Sequence, residues 1–301
     1  MIDNNEITSG KKDKYLLLLA SGGLVHFLLI LSYAIEIAIE QNRILVIYSK
    51  HKQFKFSDYF TIDIDNFIYY DGEIDKIPDN LKWKGLSPTE IITNKSEFII
   101  ESRDSTPDAG YRLRNSLIPI ENDLSIYDKD EQLIVSSYKP RDYVKPILID
   151  GKESMQIDTP KYFFSIKFNN DIIKKLQNEK NINDNYISIH FRNTDIKNEV
   201  DSFIEKAKEL SDEKNIDYIY LLSDDNDAYE KFKEKLPEKK IMRNPVQQDE
   251  TSFYGAGGPT INYNLVYDIY MALNSNYFIP CQNSGLSHYI FTLFETKQKV
   301  I

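Results

Sequence analysis

KYLLLLASGGLVHFLLILSYAIEIAIEQNRILVIY, residues 14–48, decides the fold class. Residues 14–20 are a short apolar run that reads as a central strand. A Ser-Gly-Gly turn follows. Residues 24–41 are apolar for too long to be a strand and read as a buried helix. RILVIY, residues 43–48, is a second strand. Strand, Gly turn, helix, strand is the opening of a parallel α/β sheet. The same stretch is the one segment that could pass for a membrane span. Gly22, Gly23, His26, Glu36 and Glu40 interrupt it, and charge at membrane depth is costly. The strand–turn–helix reading therefore stands. Gly22 and Gly23 fall at the carboxyl end of the first strand, where they permit close backbone approach by a ligand. His26 falls one turn into the helix. A lone histidine there is more often packed than catalytic, so both roles stay open.

The second half of the chain repeats this rhythm. Strands are expected at 186–191, 217–223, 239–244 and 276–281. Helices are expected at 200–210, 227–236, 261–274 and 285–294. Between the halves, residues 49–150 are irregular and rich in Tyr, Asp and Pro, with strands placed only at 96–102 and 132–138. DGKESMQIDTPK, residues 150–161, is polar and turn-prone and marks a domain boundary. The expected organisation is residues 1–150 as an N-terminal Rossmann-like domain and 151–301 as a C-terminal one. The two would face a central cleft.

The totals agree with this. The chain has 301 residues, enough for two compact domains. Hydrophobic residues make up 41%, which argues against global disorder. A formal net charge of −10 argues against a nucleic-acid-coating protein but leaves room for a local cationic pocket. The single cysteine, Cys281, argues against a disulfide framework and a multi-cysteine zinc site. His26, His51, His190 and His288 are widely separated and show no HExxH-like spacing, so no metal is expected. With no standard signal peptide and no membrane span read, the expected location is cytoplasmic or peripheral at a membrane.

In open α/β sheets, ligands sit beyond the carboxyl ends of the strands. Three strand ends in the second half therefore matter: HFRNTD at 190–195, SDDND at 223–227 and QNSGLS at 282–287. An apolar strand normally exits into Gly, Pro, Asn or Ser; the first of these exits into charge. Arg192 offers a rigid fork of donors suited to a diphosphate. The bland alternative is an ion pair with Asp195, worth little at a surface. Ser284, Gly285 and Ser287 form a small turn before a helix, whose first N–H groups suit an anion; Ser284 could equally be a plain N-cap. Asp224 and Asp225 could orient Arg192 or touch a sugar hydroxyl, and one of them should cap the next helix. The glycines at 255–258 suggest a lid. DID at 63–65 fits a metal-binding DxD motif in letters only.

Taken in order, these strand ends resemble the fucosyltransferase-like superfamily, which includes α1,6-, nodulation and protein O-fucosyltransferases. The α1,6 enzymes carry HxRxTD after a strand, matched here by His190, Arg192, Thr194 and Asp195. They carry a strand ending in an Asp pair, matched by YIYLLSDD at 218–225. They also carry a helix–strand unit closing in a serine turn, matched by DIYMALNSNYFIPCQNSGLSHYI at 268–290. The resemblance covers about residues 186–294. It implies a GT-B fold with two Rossmann-like domains, the nucleotide-sugar in the C-terminal one and the acceptor facing the N-terminal one. It implies an inverting, metal-independent transferase with no cofactor, whose donor is GDP-fucose or another nucleotide sugar and whose acceptor is a glycan. Carried over by position, Arg192 would bind the β-phosphate and stabilise the departing nucleotide, with His190 in support. Asp268 would recognise guanine, Ser284 and the backbone near Gly285 would hold phosphate oxygens, and Asp224 and Asp225 would shape the pocket. The chain departs from the pattern at Asn193, where the α1,6 enzymes have a second Arg, at Gly285, where they have Gln, and in SGGLVHF after the first strand. These departures bear on the donor sugar and the acceptor. A different nucleotide-sugar donor and a non-catalytic nucleotide- or sugar-binding protein are the alternatives.

Overall fold

The structure is a computed structural model. It describes residues 13–19, 23–49, 55–82, 85–92, 130, 132–136, 144–149, 152–157, 159–180, 185–193, 198–223, 225–244, 254–255, 258–259, 263–282 and 284–296. For 136, 144–149, 152–157, 254–255 and 258–259 this is backbone only. The N-terminal elements are β1 (Tyr15–Leu19), α1 (Leu24–Glu40), β2 (Ile44–Tyr48), β3 (Phe60–Ile62), β4 (Tyr69–Asp71) and β5 (Leu133–Ser136). Next come β6 (Val144–Ile149), β7 (Lys152–Ile157), β8 (Ile166–Phe168) and α2 (Asn170–Glu179). The second α/β run is β9 (Tyr186–Phe191), α3 (Val200–Glu213), β10 (Tyr218–Ser223), α4 (Asn226–Lys235) and β11 (Lys240–Met242). It closes with β12 (Tyr254–Gly255), β13 (Gly258–Pro259), α5 (Tyr263–Leu273), β14 (Tyr277–Ile279) and α6 (Gly285–Glu295).

Two four-stranded sheets result, in the orders β4-β2-β1-β5 and β11-β10-β9-β14. Every pairing in both is parallel. β1 and β9 lie inside their sheets and are buried along their whole length, which is why both read as unbroken apolar runs. α1 is buried on nearly every face. One apolar cluster explains this: it runs from Leu16 and α1 through Phe163 to Val266 in α5 and Tyr289 in α6. A helix apolar all round must have protein on all sides. Each fully buried Leu or Phe in it contributes roughly 2 kcal/mol.

Helix ends follow local chemistry. Asn42 and Asn215, at φ 49° and 53°, take the left-handed position after α1 and α3. Arg43 N–H then bonds the Ala38 carbonyl, and Ile216 N–H the Ser211 carbonyl. Asn169 caps α2 by accepting from Ile172 N–H at 2.8 Å.

The middle of the chain differs from expectation. β3, β4 and β8 have three residues each, too few for a legible period. α2 buries only Ile172 and Leu176, so its sequence pattern is thin. The polar segment at 150–161 contains β7, which pairs antiparallel with β6. A ladder satisfies the backbone whatever the side chains are, so a polar strand escapes a hydrophobicity reading. β8 pairs with β3, and Phe168 stacks on Phe60 at 5.1 Å. Phe60 in turn stacks on Phe56, which meets Phe27 of α1 edge-on. Residues 166–168 thus pack against N-terminal elements. The strand expected at 96–102 lies outside the described residues. Glycines 255 and 258 sit in the small antiparallel pair β12–β13.

Candidate functional site

Because β9, β10, β11 and β14 run parallel, their carboxyl ends share one edge. Hydrogen bonds tie the ends together there. Asn193, just past β9, donates Nδ2 to Asp225 Oδ2 at 2.7 Å, joining the β9 and β10 exits. Asn198 donates Nδ2 to the Arg192 carbonyl and lies 3.5 Å from Cys281 Sγ, just past β14. His190 Nδ1 lies 2.7 Å from Ser287 Oγ in the first turn of α6. Ser287 Oγ also accepts from Cys281 N–H at 2.7 Å.

Strand period puts residues 190 and 192 on one face and 191 on the other. Phe191 packs edge-on against Phe203 of α3 at 5.2 Å, on the α3 side of the sheet. His190 faces α6 instead. Burial pushes its imidazole down to about 3, and the Arg192 guanidinium adds to that shift. The ring is therefore neutral at ordinary pH, beside a half-buried arginine.

Asp225 is the N-cap of α4. Its Oδ1 accepts from Asp227 N–H at 2.9 Å and Ala228 N–H at 3.2 Å. With Oδ2 on Asn193, both carboxylate oxygens hold backbone or loop. Asp268 is buried in α5 and accepts at Oδ1 from the Tyr220 hydroxyl at 2.6 Å. Burial, then the charge of Asp268, holds the Tyr220 hydroxyl well above its ordinary range. Ser284 stands at the N-cap position of α6, but its side chain caps nothing. Among the described residues its hydroxyl, fully buried, has no hydrogen-bond partner. The plain N-cap role is thus corrected: the residue takes the extended backbone usual at an N-cap, as Asp225 does, but its Oγ meets none of the helix amides. Ser287 Oγ is engaged by His190 and by Cys281 N–H. Gly285 is the first residue of α6.

On the N-terminal side, Gly23 is the extended N-cap of α1, and His26 is half-buried in its first turn. Glu36 is 12 residues past the helix start at Leu24, about 18 Å along α1 at 1.5 Å per residue. Asp63 of the DID triplet pairs with Lys167. Gly22, Thr194, Asp195 and Asp224 lie outside the described residues. Sequence reading missed Asn193 and Asn198 as loop ties and Tyr220 as the partner of Asp268. It also missed Arg243, just past β11, which stacks on Tyr229 at 4.1 Å and donates to Asn226 Oδ1 at 2.6 Å. These are tertiary contacts without a local signature. His288, one turn into α6, is buried; burial lowers its basicity, and the Gln282 backbone partly offsets this.

The edge thus gathers a guanidinium, a neutral imidazole and a helix N-terminus with a buried hydroxyl, a donor set suited to an anion. No protein-family model matches the chain, and no curated protein matches it in sequence. Solved structures do match in shape. The fucosyltransferase NodZ from Bradyrhizobium superposes with TM-score 0.55 at 15% identity, over 93% of this chain and 92% of that one. POFUT1 in complex with GDP superposes with TM-score 0.58 at 9% identity, over 96% and 97%. The chain shares the mixed α/β fold of these fucosyltransferase structures. Within that fold the strand-end cluster lies in the second parallel sheet. NodZ α1,6-fucosyltransferase soaked with GDP-fucose matches equally well, with TM-score 0.55 over 94% of this chain. No described helix is long and apolar enough to cross a membrane.

Proposed function

We propose that the protein is an inverting, metal-independent glycosyltransferase that moves fucose from GDP-fucose to a glycan hydroxyl. The observation that carries this reading is the strand edge where His190 bonds Ser287 in the first turn of α6, with Arg192 near enough to act on its imidazole and the Ser284 hydroxyl buried without a described partner just before the helix. Such a set suits a diphosphate, and matching folds are those of fucosyltransferases solved with GDP or GDP-fucose.

In the proposed reaction the acceptor oxygen attacks the anomeric carbon from the face opposite the nucleotide. The new C–O bond forms as the bond to the β-phosphate oxygen breaks. The acceptor proton passes to a base, for which His26 is the candidate in the N-terminal half. GDP leaves with the bonding pair, and Arg192 offsets the charge gathered on the β-phosphate. Asp268 accepts from the guanine N–H groups, and Gly22 and Gly23 give the donor close backbone approach. Asp224 and Asp225 shape the pocket wall. Residues 1–150 form the acceptor side and 151–301 the nucleotide side, with β8 anchored back on β3.

One observation keeps a second donor in view. Tyr220 already occupies Asp268 Oδ1, so a paired guanine contact must share that oxygen. A nucleotide sugar with another base relaxes this demand. Calorimetric titration of GDP and UDP, without added metal, decides between them. Wild type should bind GDP, and Arg192→Ala should weaken it about tenfold or more, as expected for charge-assisted hydrogen bonds. UDP preference would end the guanine role of Asp268. Binding of neither would end the nucleotide-sugar reading.

A further inference from the structure

The Ser287 hydroxyl is fully buried and touches two groups. It accepts from Cys281 N–H at 2.7 Å, where a backbone amide can only donate. Its second contact is His190 Nδ1, also at 2.7 Å. Among the described residues no other acceptor bonds this hydroxyl. A neutral imidazole has one protonated and one bare nitrogen. If Nδ1 carried the proton, Ser287 would accept twice and its own proton would be buried with no acceptor. Leaving a buried donor unmade is disfavoured. If Nδ1 is bare, every group is satisfied: Cys281 N–H donates to Ser287, and Ser287 donates to His190.

We infer that Ser287 is a positioning residue that holds His190 as the neutral Nε2–H tautomer, presenting a hydrogen-bond donor at the edge where Arg192 stands. The device adds a second donor without adding a second charge. A protonated imidazole there would repel the guanidinium and face the penalty of burying a cation. Among the described residues nothing hydrogen-bonds Nε2, and the residue as a whole keeps 7% of its surface exposed. The use of that donor for a nucleotide acceptor atom rests on the function proposed above. The tautomer itself does not.

The test is nitrogen NMR on the whole chain labelled at histidine, without ligand, with His190→Gln used to assign the signal. The expected wild-type spectrum shows Nδ1 as a bare nitrogen and Nε2 as a protonated one at neutral pH. A protonated Nδ1 would overturn the inference, whatever nucleotide binds. Ser287→Ala should give a mixture of tautomers, and Ser287→Thr, which keeps the hydroxyl, should restore the single form. An unchanged spectrum in Ser287→Ala would also overturn it. Titration with GDP forms a separate arm: Ser287→Ala should weaken GDP about fivefold to tenfold, the scale of one hydrogen bond. If wild type binds no GDP while the tautomer is as expected, the functional reading fails and the positioning role survives.

Discussion

Asn193 Nδ2 donates to Asp225 Oδ2 at 2.7 Å, and through this bond the turn that carries Arg192 is fastened to the cap of α4. Asp225 has two separable jobs, since Oδ1 caps and Oδ2 ties. Asp225→Asn keeps a good capping oxygen but turns an amide toward Asn193. It should change stability by less than about 0.5 kcal/mol through the cap and weaken GDP binding severalfold. Asp225→Ala should also lose about 1 kcal/mol of stability. Urea unfolding and GDP titration on the two variants check this. Equal nucleotide affinity in wild type and Asp225→Asn would show that the tie does not organise Arg192.

Tyr220 and Asp268 form a buried pair across β10 and α5. Tyr220→Phe removes the donor and leaves the carboxylate oxygen without that partner. The expected loss is about 2 kcal/mol, the range for a hydrogen bond to a charged group. Chemical denaturation measures it. A loss no larger than that of an exposed Tyr→Phe substitution would mean that another group takes over the oxygen.

Ser284 should behave in the opposite sense. Its hydroxyl is buried and bonds nothing, so Ser284→Ala removes an unsatisfied group. Stability should hold or rise by about 1 kcal/mol, while GDP affinity falls. Thermal unfolding with and without GDP separates the two effects. A large loss of stability in the absence of nucleotide would make Ser284 a structural residue.

His190 predicts an acid limb. In the unfolded chain its imidazole takes a proton near 6.5; in the folded chain it does so only at about 3. Below pH 6.5 the unfolded state therefore binds more protons. The contribution is fully present above pH 6.5 and is lost as pH falls, by about 1.4 kcal/mol per pH unit well below 6.5. His288 is shifted the same way by burial. Unfolding free energies at pH 7 and 5.5 should converge between wild type and His190→Gln as pH drops. Parallel lines would mean that His190 titrates normally.

Much of the α/β framework was legible in the chain itself. The runs at 15–19, 44–48, 186–191 and 218–223 became interior or near-interior parallel strands, because strands covered on both faces must be apolar throughout. The helices after them kept their period, and the strand exits carried charge where a sheet of this kind opens to ligands. Residues 49–180 were poorly legible. Three-residue strands and a polar hairpin hold together by backbone ladders and by partners distant in sequence, such as Phe60 and Phe168.

The sequence by itself determined which residues stand at the strand ends, since order and period place Arg192, Asp225 and Ser284 there whatever surrounds them. Only the tertiary structure decided what each does locally. Parallel pairing brought β14 beside β9 and so set Ser287 against His190, 97 positions apart. It spent one oxygen of Asp225 on the cap of α4 and the other on Asn193, gave Asp268 to Tyr220, and left the Ser284 hydroxyl buried with no described partner. Such partnerships are set by distance and direction between side chains, and neither is encoded in the spacing of residues along one strand or helix.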